Sequence, residues 1–307
     1  MTFEQLSIFV AVAEREHLTR AASTIGLTPS AVSASIKALE SFYNVELFQR
    51  VGRRIELTQA GRIFLVEAKA TLLRARSAKN VLSELGGMRR GVIDIHASQT
   101  VASHWLPARL MEFHDLHRQI EINLVVANTK SVTQAVLEGA AELGFIEGTI
   151  DASALTLTTV CNDELVVVVP SYHPLVRDSR VTLSKLFNEV YWVMREDGSG
   201  TRSEFEKALR AASLDPAALK IALVLPSNEA VLSAVLAGRC ATAISRSAAA
   251  PYVRNGDLVA LDVALPPRNF TAIRHKERHQ SVAARKLLEI CGRPRPDRQN
   301  EAGSAAG

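Results

Sequence analysis

The chain is 307 residues long, more than the roughly 100 to 200 of one domain, so two or three domains are expected. Hydrophobic residues make up 47% and charged residues 22%, a globular balance that excludes a mostly disordered chain. No run approaches the ~20 consecutive apolar residues of a membrane span, runs such as Leu165 to Pro170 being short, so no membrane partner is expected.

The net charge of +4 is unevenly placed. Residues 1 to 90 carry 13 Lys/Arg against 8 Asp/Glu, residues 91 to 290 carry 20 against 22, and the tail from 291 carries 3 against 2. Basic character belongs to the first third, as in a chain whose head meets a polyanion. The opening MTFEQLSIFVAVAEREHL has acids at Glu4, Glu14 and Glu16 and no basic leader, so a secretory signal is not expected and the expected location is the cytoplasm. Cys161, Cys240 and Cys291 are odd in number and far apart, which points to small core residues and to neither a disulfide framework nor a metal site.

Leu6, Phe9, Val10 and Ala13 fall at i, i+3, i+4 and i+7, the stripe of a helix with one buried face, and Leu18, Ala21, Ala22 and Ile25 form a second, shorter helix. Gly26 breaks it. Thr28 then supplies an N-cap hydroxyl and Pro29 the first position of a third helix, whose apolar set is Val32, Ile36 and Leu39. Its other face holds Ser30, Ser33, Ala34, Ser35 and Lys37, small or polar groups suited to a major groove about 12 Å wide. Next come two strand-like pieces, Glu46 to Gln49 and Ile55 to Leu57, around the turn Val51-Gly52-Arg53-Arg54, which reads as a basic wing. Arg50, Arg53 and Arg54 suit phosphate or minor-groove contacts.

Thr58 caps a long helix to about Leu85, along which Phe64, Ala68, Thr71, Ala75, Ala78, Leu82 and Leu85 form a heptad seam. The seam needs a second helix, from this chain's own body or from another copy; behind a DNA-binding head a homodimer matches the two-fold symmetry of an inverted-repeat operator. Gly86-Gly87 ends the helix and Arg89-Arg90-Gly91 closes a hinge.

The segment FVAVAEREHLTRAASTIGLTPSAVSASIKALESFYNVELFQRVGRRIELTQAG resembles the N-terminal domain of LysR-type transcriptional regulators, in order and without gaps. One departure lies after the AVS triplet, where the family often has arginine or glutamine and this chain has Ala34 and Ser35. That leaves Thr28, Pro29, Ser30, Ser33 and Lys37 as the contacts in the groove or on its phosphates.

From residue 91 onward strand-like runs (Val92 to Ala97, Ile120 to Ala127, Glu142 to Glu147, Glu164 to Val169, Tyr191 to Met194, Ile221 to Leu225 and Cys240 to Ser245) alternate with amphipathic helical stretches, which predicts α/β units with largely parallel sheets. Neither GxGxxG nor GxxxxGK[ST] occurs, and no cofactor is expected. Ser98-Gln99-Thr100, Gly198-Ser199-Gly200-Thr201-Arg202 and Ser227-Asn228 each follow a strand and open a helix. Such junctions present hydroxyls, N–H groups and helix dipoles at the carboxyl ends of strands, where open α/β sheets collect ligands. HExxH and GxSxG are absent, and no nucleophile stands with a base, so an enzyme is not expected.

ASQTVASHWLPARLMEF, VLEGAAELGFIEG, REDGSGTR and PSNEAVLSAVLAGRCATAISR resemble the same family's periplasmic-binding-protein-like effector domain, in the branch that includes regulators of sulphur assimilation and carbon fixation. The resemblance implies a small-molecule effector, an anion or an amino-acid-like metabolite, in a site lined by Ser98, Gln99, Thr100, Thr149, Ser199, Thr201, Ser227 and Asn228, with Arg202 paired to an anionic group, and a homotetramer built on the dimer. The expected domains are a winged helix-turn-helix at 1–60, a linker helix and hinge at 61–90, an effector domain at 91–291 with subdomains 91–161 plus 268–291 and 162–267, and a disordered tail at 292–307.

Overall fold

The computed structural model describes residues 1–52, 54–85, 91–178 and 180–293. It comprises two units, with the first ending near Gly87.

In the first unit, α1 (Phe3–Arg15) opens on a capping box: Gln5 N–H donates to Thr2 Oγ1 while Thr2 N–H donates to the Gln5 side chain. α2 (Leu18–Ile25) stops at Gly26, whose φ of 69° lies in the left-handed region that glycine adopts freely. α3 (Pro29–Tyr43) begins on the Thr28 cap, whose hydroxyl accepts from Ala31 N–H at 3.2 Å. A hairpin, β1 (Phe48–Val51) and β2 (Arg54–Leu57), follows, and then α4 (Gln59–Leu85). Glu40 Oε1 accepts from Leu47 N–H at 2.8 Å and Phe48 N–H at 3.1 Å, fixing the hairpin to the third helix.

Leu6, Phe9, Val12, Ala21, Ala22, Val32, Ile36, Leu39, Leu57 and Ala68 make the core, with Phe9 against Phe48 and Phe64. The start of the heptad seam is thus spent inside the unit, since Ala68 is fully buried and Phe64 packs on the same core. Over these early turns the side chains left to solvent lie on a different stripe, with Ile63 at 61% and Val66 at 50% exposure. The physical reason is chain continuity: α4 follows the wing directly, so its first four turns close the core.

The second unit holds two five-stranded sheets. The first is built from β3 (Gly91–Ser98), β4 (Ile120–Ala127), β5 (Leu143–Glu147), β6 (Leu155–Asp163) and the late strand β12 (Arg268–His275), in the order β4-β3-β5-β12-β6. α5 (Gln99–His104), α6 (Leu106–Leu116), α7 (Thr129–Glu138) and α12 (Val282–Cys291) belong with it. The second sheet has the order β11-β7-β10-β8-β9, from β7 (Leu165–Pro170), β8 (Tyr191–Arg195), β9 (Ile221–Leu225), β10 (Cys240–Ser245) and β11 (Leu258–Leu261). Its helices are α8 (Leu183–Glu189), α9 (Gly200–Ala211), α10 (Asn228–Ala237) and α11 (Arg246–Arg254).

The chain crosses between the sheets at Glu164, just past Cys161, and again between Leu261 and Arg268. Both sheets are mixed rather than largely parallel. β3 pairs in parallel with β4 and β5, and β8 with β9 and β10, whereas β12 lies antiparallel to β5 and β6, and β7 antiparallel to β10 and β11. The antiparallel partners are the strands beside the crossovers, where the chain changes sheet without an intervening helix to reverse it.

Each sheet carries its own apolar core, around Ile93, Ile95, Phe113, Leu143 and Phe145 in the first and Val167, Trp192, Phe205 and Leu209 in the second. Cys291 is fully buried in the first core, and burial pushes its thiol up to about 12. Among the described residues no helix is long and apolar enough to cross a membrane.

Candidate functional sites

On the first unit, Ser30, Ser33, Ala34 and Lys37 fall at i, i+3, i+4 and i+7 of α3, on the face away from Val32, Ile36 and Leu39. Thr28, Pro29, Ser30 and Lys37 are exposed and Ser33 is half-buried. Thr28 Oγ1 and Ser30 Oγ lie 3.1 Å apart, so the hydroxyl that caps the helix also orders its first exposed turn. Arg50 on β1 and Arg54 on β2 are both exposed, and Gly52 turns between them with a φ of 63°. Arg53 lies outside the described residues.

In the second unit the strand-to-helix junctions converge. Ser98 ends β3, Thr100 lies in the first turn of α5, Thr201 in the first turn of α9 and Asn228 opens α10; all four are at most 1% exposed. They surround a carboxylate. Glu147, the last residue of β5 and 2% exposed, accepts from Ser98 Oγ at Oε2, and from Thr201 Oγ1 at 3.3 Å and Thr100 Oγ1 at 3.5 Å at Oε1. Thr129 Oγ1 donates to the Glu147 backbone carbonyl at 3.3 Å.

Two buried arginines complete the cluster. Arg268, at the start of β12, pairs with Asp163 at 2.6 Å and donates from Nη1 to Thr201 Oγ1 at 3.1 Å. Ser245 Oγ, from the other sheet, donates to the second oxygen of Asp163 at 2.7 Å. Arg195, at the end of β8, donates to Asn228 Oδ1 at 2.5 Å and pairs with Glu196 at 2.8 Å. Asn228 Nδ2 in turn donates to Thr100 Oγ1 at 3.1 Å. Residues of both sheets thereby join one network at the carboxyl ends of β3, β5, β8 and β10.

The remaining sequence-predicted residues divide. Gln99 bridges the halves, its Oε1 accepting from Asn228 N–H at 2.8 Å and its Nε2 donating to Glu229 at 2.6 Å. Ser199 is buried and, among the described residues, its hydroxyl has no hydrogen-bond partner. Ser227 caps α10 by accepting from Ala230 N–H at 3.1 Å. Thr149 stands apart from the cluster: its N–H donates to Glu204 at 3.2 Å and its hydroxyl accepts from Lys207. The Arg202 guanidinium is engaged by Glu206 at 2.8 Å and the Arg195 carbonyl at 3.3 Å.

Sequence reasoning missed Glu147, Asp163, Arg195, Arg268 and Thr129. The signal present was an ionisable residue ending an otherwise apolar strand, as in LGFIE and YWVMR. Burial lowers the pKa of His104, the last residue of α5, against the opposing pull of Glu229 and Asp163. Among the described residues no cluster of three His, Cys, Asp or Glu is arranged to hold a metal.

Residues 3–62 match the bacterial regulatory helix-turn-helix protein of the lysR family, and residues 86–293 match the LysR substrate binding domain. The uncharacterized HTH-type transcriptional regulator YeiE of Escherichia coli (strain K12) is 34% identical over 293 residues, covering 95% of this chain and 97% of that one. A crystal structure of full-length CbnR complexed with its target DNA shares the fold with a TM-score of 0.71 at 22% identity, over 95% of this chain and 99% of that one. The regulatory domain of Synechocystis PCC6803 CcmR in complex with 2-PG shares it with a TM-score of 0.60 at 23% identity, over 66% of this chain and 96% of that one. With a winged helix-turn-helix head, two mixed α/β sheets meeting at a polar cluster, and family matches across both units, the chain belongs to the LysR family of DNA-binding transcriptional regulators.

Proposed function

We propose that this regulator reads an inverted-repeat operator with the exposed face of α3, through Thr28, Pro29, Ser30, Ser33 and Lys37, while Arg50, Arg53 and Arg54 hold phosphates. Two heads are supplied by a homodimer formed through α4, and two dimers make a tetramer. A small anionic effector binds between the two sheets, and the chain has no enzymatic activity.

The observation that carries the effector reading is the buried cluster of Ser98, Thr100, Thr201 and Asn228, with Ser199 beside it holding an unpartnered hydroxyl. Buried polar side chains desolvated without a full set of partners are costly, and a ligand that accepts from them recovers that cost. The 2-PG bound by CcmR supports an anion as the effector class, and the target DNA bound by CbnR supports the role of the head.

The cluster is nearly sealed from solvent, so a ligand enters only as the sheets part and binds the closed form preferentially. That differential affinity is what biases the protein between two arrangements. The test is thermal unfolding of the full chain against sulphate, thiosulphate, phosphate, O-acetylserine and small carboxylates. A ligand at ~100 times its Kd is expected to stabilise by about 2.7 kcal/mol, a rise of a few degrees. Thr100→Ala and Thr201→Ala are expected to lose the rise. A ligand whose effect survives both substitutions places its site elsewhere and overturns the reading.

A further inference from the structure

Three hydroxyls in the cleft direct their protons at one carboxylate. Ser98 donates to Oε2 of Glu147, and Thr100 and Thr201 donate to Oε1. Both threonine oxygens already accept from N–H groups, Thr100 from Asn228 Nδ2 and Thr201 from Arg268 Nη1, each at 3.1 Å. A hydroxyl has a single proton to give, so any entering oxyanion competes with Glu147 for these donors.

Among the described residues, no Lys or Arg forms an ion pair with Glu147. Arg268 on β12 is held by Asp163 on β6, and Arg195 on β8 by Glu196. Glu229 on α10 takes a hydrogen bond from Gln99, and His104 on α5 lies near Glu229 and Asp163. Two arginines thus meet two carboxylates, and Glu147 remains as surplus negative charge in a water-poor site. An oxyanion stripped of all its protons would set bare oxygens against that carboxylate with no donor between them. One that keeps a proton carries the donor itself: its O–H bonds Glu147, while its ionised oxygens accept from the released hydroxyls and from the unpartnered Ser199.

We propose that Glu147 determines the specificity of the effector cleft, selecting an oxyanion that retains a proton near neutral pH over a fully ionised one of the same shape. The proposal rests on the effector reading of the cleft.

Phosphate and sulphate are both tetrahedral and close in size, but at pH 7.5 only phosphate keeps a hydroxyl. Titration calorimetry of the full chain with each anion, in a buffer free of both, is expected to give phosphate a Kd at least about a hundredfold below that of sulphate, since sites built to bond a ligand O–H reject the analogue lacking it. Glu147→Gln removes the charge at nearly constant shape and is expected to tighten sulphate and bring the two constants within a fewfold. Equal binding of both anions by the wild type overturns the proposal, as does an unchanged ratio in Glu147→Gln. If Glu147→Gln fails to fold, the wild-type ratio decides alone. Should neither anion bind, the proposal falls; a carboxylate or O-acetylserine response lost in Thr100→Ala would then keep the effector reading standing.

Discussion

Gly200 shows how tightly the two halves of the polar cluster approach at the level of one residue. A Cβ built there would sit 2.5 Å from Thr129 Oγ1 and 2.7 Å from Glu147 Cγ, and closer still to the Glu147 carbonyl. The first turn of α9 therefore rests directly on the end of β5, and the backbone carbonyl cannot step aside without disturbing the sheet. Gly200→Ala is expected to destabilise the chain by about 1 to 3 kcal/mol, the usual range for an overpacked core, and to weaken effector binding by holding the cleft ajar. Urea midpoints and ligand titrations of the variant check this; stability and affinity both equal to wild type would show that the contact is not tight.

At the same scale, Ser98, Thr100, Thr201 and Asn228 could be picked out because three strand-to-helix junctions carry hydroxyl or amide residues together; taken singly, each reads as a helix cap, which is what Ser227 is. Glu147, Asp163, Arg195 and Arg268 were not, because a charged residue ending an apolar strand looks the same whether it meets water or a buried partner. Arg202 and Thr149 went the other way: their residue types suited an anion, but Glu206 and Glu204 on the same helix took them.

Among the elements, α4 carries the most consequence. Its helical character was plain from the sequence, yet the seam beginning at Phe64 is divided: Phe64 and Ala68 close the head's own core, whereas Thr71, Ala78 and Leu82 are exposed. Ile63, Val66, Ala70 and Leu73 form a second stripe at i, i+3, i+7 and i+10, and its first two members are at least half exposed. A stripe of large aliphatic side chains on a helix of 27 residues is the pattern that pairs with a second helix. Ile63→Glu combined with Val66→Glu is expected to shift the chain toward smaller species in sedimentation velocity, with helical content unchanged. An unaltered distribution would remove this stripe from the dimer interface.

The strands divide in the same way. The parallel ones read clearly as apolar runs between helices, whereas β6, β11 and β12 escaped because their pattern of exposure does not alternate cleanly. β6 is partly exposed along most of its length and β12 is buried along most of it. Both lie beside a crossover, and their partners are distant in sequence, so no local periodicity announces them.

For the molecule as a whole, the histidines set how stability responds to mild acid. Burial lowers the pKa of His173, and its Nδ1 accepts from Leu175 N–H at 3.2 Å, a bond that only the ring unprotonated at Nδ1 makes; a backbone hydrogen bond at Arg239 opposes the shift while the Arg239 charge adds to it. Burial likewise lowers His96 against the pull of Asp94. In both cases the unfolded chain binds the proton at higher pH than the folded one. The stability they contribute is therefore full above the ordinary histidine value near 6.5 and is lost as pH falls through the lower folded values. Asp178, whose carboxyl is held down by its hydrogen bond from Lys185, loses its contribution only in stronger acid and does not act in this window. The denaturant midpoint is thus expected to fall between pH 7.5 and 5.5. In His173→Asn the side-chain oxygen can still accept from Leu175 N–H but does not titrate, so the variant should match wild type more closely at pH 7.5 than at pH 5.5 and show a shallower decline between them. A midpoint that rises on acidification would mean that the nearby carboxylates, and not burial, govern these rings.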